Sequence, residues 1–211
     1  CIQKIVATTD NQKRENRMWQ QARAIEYINS TPIMQFYVPL VEADDVISYV
    51  SGLQVYEEWN KVIVSSDQDF IQLLGSDTLL YRPTQNEVLN KNRILEKYKI
   101  HPNNFALARA LVGDKSDNLD GVPGVGLGTV AKRFPFLSEE KEYFVDDIMS
   151  IALQESQESK LKVFDKILES EGKVKLNYKL MQLGAPQISI QSKTNIKNTC
   201  ENHEPDFNKT E

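Results

Sequence analysis

Hydrophobic positions recur with two different periods in the first hundred residues of the chain. Apolar residues lie three or four positions apart in 17–29 and again in 43–59, which predicts two helices. The runs IMQFYVPL (33–40) and KVIVSS (61–66) are short and rich in β-branched or aromatic residues, which predicts strands. A strand, a helix and a second strand at this spacing predict a βαβ unit with a parallel sheet and a right-handed crossover.

Beyond KVIVSS the pattern becomes mainly helical. DFIQLL predicts a short helix, and TLLYRP and EVLN predict short strands or a hairpin. Helices are predicted for RILEKYKI, NFALARALVG, TVAKRF, EYFVDDIMSIAL and KLKVFDKILES. The last residues are rich in Asn, Lys, Glu and Thr. We therefore predict an α/β, parallel-sheet core over residues 1–100, a helical region over 101–185 and a polar, flexible tail over 186–211.

Length and cysteine content set the broad class of the protein. With 211 residues, the chain is long enough for a sizeable core. Cys1 and Cys200 stand at opposite ends, so no disulfide framework is predicted and a reducing, cytoplasmic setting is expected. No apolar run approaches the ~18 residues of a membrane span, and no signal peptide is recognisable. The start at Cys1 rather than Met leads us to expect an amino-terminal truncation.

Acidic residues follow both predicted strands at one edge of the predicted sheet. Glu42, Asp44 and Asp45 in VEADDV follow the first strand, and Asp67 and Asp69 in SSDQDF follow the second. One acid at a helix start is often only a cap, but capping does not require five carboxylates at one edge. Ligands bind beyond the carboxyl ends of parallel strands, so this edge is a candidate site.

A third acidic cluster, GDKSDN (113–118), supplies Asp114 and Asp117, although such a sequence is also typical of a solvated turn. All-oxygen ligands suit Mg²⁺ or Mn²⁺ rather than zinc. Seven carboxylates are enough for two ions about 4 Å apart, as used in phosphodiester hydrolysis. The net charge of −5 argues against nucleic acid as a partner. Without these seven acids, however, 23 acidic residues face 25 basic ones and the net charge is +2.

The glycine-rich segment GVPGVGLGTVAKRF (121–134) is the other informative motif. It follows a predicted helix, so it is not a dinucleotide fingerprint, and it lacks the Gly-Lys-Ser/Thr of a phosphate loop. An ordinary turn between helices is one interpretation. The other is a backbone contact to DNA phosphates that carries no base information. The predicted DNA-binding residues are Gly121, Val122, Gly124, Val125, Gly126, Thr129, Lys132 and Arg133.

Together these motifs resemble the 5′-nuclease (flap endonuclease) family. EADD, SSDQDFIQLL and ALVGDKSDNLDGVPGVGLGTVAKRF occur in the family's order within residues 17–183, and HPNNFALARALVGDKSDN and KRFPFL are most similar to T4-like phage members. The resemblance implies a PIN- or Rossmann-like nuclease core. A helix–three-turn–helix DNA-binding region would follow it.

The resemblance also implies roles for individual residues. Glu42 and Asp44 would be the ligands nearest the scissile phosphate, and Asp67 and Asp69 would connect two metal positions. The implied catalytic residues are Glu42, Asp44, Asp67 and Asp69, and the implied metal ligands are Glu42, Asp44, Asp45, Asp67, Asp69, Asp114 and Asp117. The implied cofactors are two Mg²⁺ or Mn²⁺ ions, with K⁺ at the glycine-rich turn. The implied partners are DNA with a 5′ flap or 5′ end, RNA primer–DNA hybrids and a single-stranded-DNA-binding protein, with no membrane.

The chain departs from the family pattern in two places. The Asp that ends the family's first strand and the Asp before its basic helical arch have no counterpart here, as expected for a truncated amino end. Gly128 stands where many members have Lys, so one phosphate contact is expected to be weaker. Two alternatives remain open: a PIN-type ribonuclease, and a catalytically inactive, structure-specific DNA-binding module.

Overall fold

The boundary predicted at residue 100 does not separate two cores. The computed structural model describes residues 9–159 and 161–204. Residues 40–190 form one compact unit, and the described residues before and after them belong to a second. Ile94, Ile100 and Phe105, from both sides of the predicted boundary, lie in one hydrophobic cluster of the larger unit. The sheet and the helices that follow it therefore share a core.

In the smaller unit, helix α1 (Asp10–Asn29) begins before the predicted start at residue 17. The Thr9 hydroxyl accepts the Gln12 backbone N–H at 3.3 Å, and the Gln12 side chain accepts the Thr9 N–H at 3.1 Å. This capping box satisfies donors that a helix start leaves free, so the polar stretch becomes helical. None of the residues of α1 is buried.

The predicted strand at residues 33–40 is absent. Residues 33–38 have no regular secondary structure, and Ile33 and Tyr37 are 60% and 89% exposed. In the described part of the chain, strand pairing begins at Lys61, so this apolar run has no ladder to join. The βαβ unit predicted from this strand is therefore wrong, although the sheet does contain a parallel pair.

The parallel pair forms further along the chain. After α2 (Ala43–Ser51) come β1 (Lys61–Val64), β2 (Thr78–Arg82) and β3 (Glu87–Leu89). The strand order is β1-β2-β3, with β1 parallel to β2 and β2 antiparallel to β3. A 3₁₀ turn, Asp69–Leu73, lies in the crossover from β1 to β2. The predicted strand at KVIVSS and the predicted hairpin are thus confirmed.

The helical region contains the predicted helices and one small hairpin. Its elements are α3 (Lys91–Tyr98), α4 (Phe105–Val112), β4 (Gly113–Asp114), β5 (Leu119–Asp120), α5 (Leu127–Arg133), α6 (Val145–Glu158), α7 (Lys162–Glu169) and α8 (Glu171–Met181). Helix α4 is the most buried, and it packs against both α5 and α8. The fold is therefore a mixed α/β core continued by a helical region.

The tail predicted over residues 186–211 is not without structure. Helix α9 (Ile190–Glu201) lies within it, and Ile196 and Cys200, four residues apart, are both buried. Two apolar side chains on one face are too weak a pattern to predict a helix from sequence, yet their burial stabilises one. No helix in the described ranges is both long and apolar enough to span a bilayer.

Buried His101 makes the stability of the fold sensitive to mild acid. Its Nδ1 accepts the Asn103 N–H at 3.2 Å, the residue is 3% exposed, and burial lowers the pKa of its imidazole. Below the ordinary value of 6.5, the unfolded chain binds a proton that the folded chain excludes. We expect the free energy of unfolding to fall by at most about 1.4 kcal/mol per pH unit below this value. Urea titrations at several pH values should show that the free energy of unfolding depends less on pH in His101→Gln than in the wild type. An unchanged pH dependence would contradict the role of His101.

Candidate metal centre

Three aspartates from two separate segments meet in the larger unit. Carboxylate oxygens of Asp69, Asp114 and Asp117 lie within 4.8 Å of one another. Asp69 begins the 3₁₀ turn that follows β1, Asp114 belongs to β4, and Asp117 lies in the turn between β4 and β5. The structure thus brings the SSDQDF and GDKSDN motifs to the carboxyl end of β1.

Two glycines allow the β4–β5 hairpin to form. Gly113 has φ +80°, a value that side chains disfavour. A Cβ on Gly121 would lie 2.0 Å from the carbonyl oxygen of Val112. Because both positions must be glycine, the backbone can close tightly at the end of α4. This closure presents Asp114 and Asp117 to Asp69.

Asp67 combines a capping role with its position beside the cluster. Its Oδ1 accepts the backbone N–H of Asp69 at 2.9 Å, and its own N–H donates to the Ser65 hydroxyl at 3.1 Å. These bonds fix the backbone where β1 ends. The cap and the ligand interpretations of SSDQDF are therefore compatible, since one carboxylate oxygen remains for another partner.

Arg109 is a central residue of the site that the sequence analysis missed. Its Nη2 lies 3.3 Å from Asp69 Oδ1 and contacts Asp114 Oδ2, while its Nη1 lies 3.4 Å from the Gln68 side-chain oxygen. The side chain is only 11% exposed. A single arginine inside the apolar helix FALARALV was the available signal, because a buried charge requires a partner.

The pKa values of Asp69 and Asp114 are shifted in opposite directions. Burial raises the pKa of Asp69 from 3.8 to about 6; Arg109 opposes this effect, and the negative charges of Asp67, Asp114 and Asp117 add to it. Burial also acts on Asp114, but hydrogen bonds from Ser116 and the Arg109 guanidinium outweigh it and hold its pKa below the usual range. Arg109 thus acts to lower the pKa of both aspartates. The site retains negative charge that would attract a cation.

The first predicted acidic cluster lies outside this group. Glu42 precedes α2, and Asp44 and Asp45 occupy its first turn, where the Asp44 carboxylate accepts the Asp45 N–H at 2.8 Å. Helix α2 packs against the 3₁₀ turn of Asp69. Within the described residues, however, these three acids are not among the carboxylates within 4.8 Å of one another. Among the described residues, the three aspartates therefore form a close cluster, and the contribution of Glu42, Asp44 and Asp45 to a second ion stays a prediction.

The donor set of the cluster fits a hard divalent cation. A cavity of about 350 Å³ opens at the site and is lined by Ser66, Asp67, Gln68, Arg109, Asp114 and Ser116. Three carboxylates at this separation supply the oxygen ligands that Mg²⁺ and Mn²⁺ prefer. Asp69, Asp114 and Asp117 are the residues that would hold such an ion.

The glycine-rich turn has a buried side and an open side. The side chains of Val122 and Val125 lie in the core, so only their backbone could reach a ligand. By contrast, a Cβ at Gly124, Gly126 or Gly128 would meet no atom within 4 Å. Of the other predicted contacts, Lys132 is exposed and Thr129 and Arg133 are partly exposed, whereas Gly121 packs against the end of α4.

Comparison with known proteins agrees with this arrangement. A family model described as the 5′-3′ exonuclease N-terminal resolvase-like domain matches residues 10–99. A 5′-3′ exonuclease of Aquifex aeolicus is 38% identical over 42% of this chain and 31% of its own length. One from Buchnera aphidicola is 30% identical over 76% of this chain and 56% of its own length. The chain thus spans about half or less of these relatives.

Solved structures show the same fold. The bacteriophage T5 D15 protein, co-crystallised with metal ions, has a TM-score of 0.67 at 22% identity, covering 83% of this chain and 64% of that one. A T5 D15 flap endonuclease variant is described as a pseudo-enzyme–product complex with DNA and metal ions. It has a TM-score of 0.66 at 22% identity, covering 83% of this chain and 62% of that one.

The fold and the site define an α/β, resolvase-like protein with an acidic cluster at the sheet edge and a helical region after it. Within this class, the matching family model, the curated relatives and the shared fold agree. The family model over residues 10–99 and the curated relatives show that the chain is similar to 5′-3′ exonucleases, and the solved structures show the shared fold.

Proposed function

We propose that this protein is a divalent-metal-dependent, structure-specific 5′ nuclease acting in DNA replication or repair. It would hydrolyse phosphodiesters at 5′ ends and flaps of DNA and in RNA primers paired with DNA. The observation that carries this proposal is the cluster of Asp69, Asp114 and Asp117, whose oxygens lie within 4.8 Å of one another. The relatives' descriptions as 5′-3′ exonucleases support the direction of cutting.

The proposed roles follow from the placement of each group. Bound Mg²⁺ or Mn²⁺ would stabilise charge developing on the scissile phosphate and activate the attacking water. Asp69, Asp114 and Asp117 would hold one ion, and Asp67 would orient the backbone of Asp69. Glu42, Asp44 and Asp45 remain the proposed ligands of a second ion. Arg109, beside Asp69 and Asp114, would stabilise their arrangement by neutralising part of their charge.

The open side of the glycine-rich turn would hold duplex DNA. With no atom within 4 Å of a Cβ at Gly124, Gly126 or Gly128, a phosphate backbone has room to approach the chain closely. Thr129, Lys132 and Arg133 on α5 would add contacts to phosphate oxygens, and K⁺ at the turn would add a further one. Such contacts do not read sequence and weaken as salt rises. Binding to a single-stranded-DNA-binding protein is also proposed.

Gly128→Lys tests the role of this turn. We expect the substitution to tighten duplex binding, because it adds a cation on an open face of α5. The slope of log Kd against log salt should steepen by about 0.9, the value for one added phosphate contact. Fluorescence anisotropy in the Asp69→Asn background, without divalent ions, measures this slope. Gly128→Ala is the matched control, and equal slopes for Lys and Ala would contradict the assignment.

The experiment that tests the proposed function is cleavage of 5′-labelled flap DNA by the full-length protein, with Mg²⁺ and then with excess chelator. We expect cleavage that requires the metal and is abolished by Asp69→Asn, while binding of the flap persists. A second function, structure-specific DNA binding without catalysis, is favoured by the position of Glu42, Asp44 and Asp45 outside the cluster. Binding without cleavage by the unaltered protein would support that second function instead.

A further inference from the structure

Three polar side chains outside the metal centre link the elements around it to one short segment. This segment, residues 177–183 at the end of α8, is called the brace. The side chains are Ser48 of α2, Gln72 of the 3₁₀ turn and Asn177 of the brace itself. Ser48 and Asn177 are 8% and 2% exposed, and Gln72 is partly buried.

Gln72 links the backbone of a proposed metal ligand to the brace. Its Nε2 donates to the carbonyl oxygens of Asp69 and Met181, each at 2.9 Å. Its Oε1 accepts the Leu183 N–H at 2.7 Å. One side-chain amide therefore makes three hydrogen bonds, and these fix where the backbone of Asp69 lies relative to the end of α8.

Asn177 makes the corresponding link for the other half of the site. Its Nδ2 donates to the carbonyl oxygens of Ala110 and Asp120, each at 3.0 Å. Ala110 adjoins Arg109 on α4, and Asp120 pairs with Gly113 in the β4–β5 hairpin. The amide thus holds α4 and the hairpin that carries Asp114 against the brace.

Ser48 completes the connection from α2. Its hydroxyl donates to the Leu183 carbonyl oxygen at 2.6 Å, so Leu183 bonds to α2 through its C=O and to Gln72 through its N–H. Asp44 and Asp45 lie in the first turn of α2. All three acidic segments of the sequence are therefore tied, by side-chain hydrogen bonds, to seven consecutive residues.

We propose that the brace sets the spacing of Asp69 and Asp114 and thereby determines how tightly the centre binds a divalent cation. Gln72 and Asn177 are the positioning residues. The inference rests on the proposed function, because it takes the cluster to be a metal site. Like-charged carboxylates repel, and Arg109 neutralises only part of their charge, so fixed backbones help to keep them close without a cation. Residues that orient metal ligands typically change affinity by about 10- to 100-fold when they are replaced.

Asn104 provides a matched control for a purely structural role. It is fully buried, and its Nδ2 donates to the carbonyl oxygens of Leu137, Glu139 and Lys141. Its Oδ1 accepts the Tyr143 N–H at 2.9 Å. Asn104→Ala and Asn177→Ala therefore each remove one buried side-chain amide. Only the amide of Asn177 bonds to the hairpin that carries Asp114.

The test measures Mn²⁺ affinity by electron paramagnetic resonance of free Mn²⁺, at a temperature where circular dichroism shows each variant folded. Gln72→Met, which keeps the length but not the hydrogen bonds, and Asn177→Ala should each weaken Mn²⁺ binding about tenfold. Asn104→Ala should lower the melting temperature yet leave the affinity unchanged. If Asn177→Ala does not fold, the Mn²⁺ affinity of Gln72→Met alone decides whether the brace controls metal binding.

The outcomes separate the proposed function from the inference about the brace. Wild-type affinity in Gln72→Met, or an equal loss of affinity in Asn104→Ala, would overturn the inference. Asp69→Asn serves as the reference for the metal site in the same titration. If it loses Mn²⁺ binding while Gln72→Met keeps it, the proposed function stands and only the brace fails. If the wild-type protein binds no Mn²⁺, both fail.

Discussion

Asp69→Asn is expected to abolish metal-dependent cleavage and to stabilise the metal-free protein at pH 8. The two effects have one cause. Asp69 is held in a half-buried position among Asp67, Asp114 and Asp117, and the attraction of Arg109 does not fully offset burial and repulsion. Asn keeps the shape of the side chain but carries no charge, so it removes both the metal ligand and the electrostatic cost.

The sign and size of the stability effect follow from the pKa of Asp69. This pKa is 3.8 in an unperturbed chain and about 6 in the fold. Between these values the folded state keeps a proton that the unfolded state has lost, so stability decreases as pH rises through this window. Above it, the charged form costs about 2 to 3 kcal/mol.

Urea unfolding in excess chelator at pH 5 and pH 8 measures this effect. We expect Asp69→Asn to be more stable than wild type at pH 8, with a smaller difference at pH 5. Asp165→Asn, on the exposed face of α7, is the control and should change little at either pH. If metal-free Asp69→Asn is less stable than wild type at pH 8, the charge of Asp69 does not destabilise the fold, and this assignment is contradicted.

Gly121→Ala is expected to cause a large loss of stability. A Cβ at this position would lie 2.0 Å from the Val112 carbonyl oxygen and 2.7 Å from the Gly113 nitrogen. Both atoms belong to the backbone at the α4–β4 junction, which therefore has to open. We expect a loss of about 3 kcal/mol, at the upper end of the typical cost of overpacking a core.

Gly126→Ala is the matched control for this prediction. A Cβ there would meet no atom within 4 Å, and the backbone has an ordinary φ of −119°. Thermal unfolding should show a large decrease in Tm for Gly121→Ala and little change for Gly126→Ala. Mn²⁺ affinity should also fall in Gly121→Ala, because the hairpin carries Asp114. Equal Tm values for the two variants would contradict the close packing at Gly121.

Local signals explain which parts of the fold were predictable. KVIVSS combines β-branched residues with a polar end, and the strand forms there. The acids after it meet those of GDKSDN because a strand end and a glycine-closed hairpin place them at one edge. The helices after residue 91 have strong apolar periodicity, and their apolar faces are buried as expected.

The features that could not be predicted depend on distant parts of the chain. Residues 33–38 have the composition of a strand, but a strand also needs a neighbour to pair with. Arg109 is informative only once α4 is known to lie beside Asp69. Gln72 and Asn177 belong to no motif, since Met181, to which Gln72 donates, and Ala110, to which Asn177 donates, lie tens of residues away along the chain.

Cleavage of a 5′-labelled flap DNA by the full-length protein, in Mg²⁺ and in excess chelator, tests the central claim most directly. That claim is that Asp69, Asp114 and Asp117 hold a divalent ion used for cutting at 5′ ends. The account predicts cleavage near the flap junction in Mg²⁺, none with chelator, and none by Asp69→Asn despite retained flap binding. Cleavage that persists in Asp69→Asn or in chelator would contradict it.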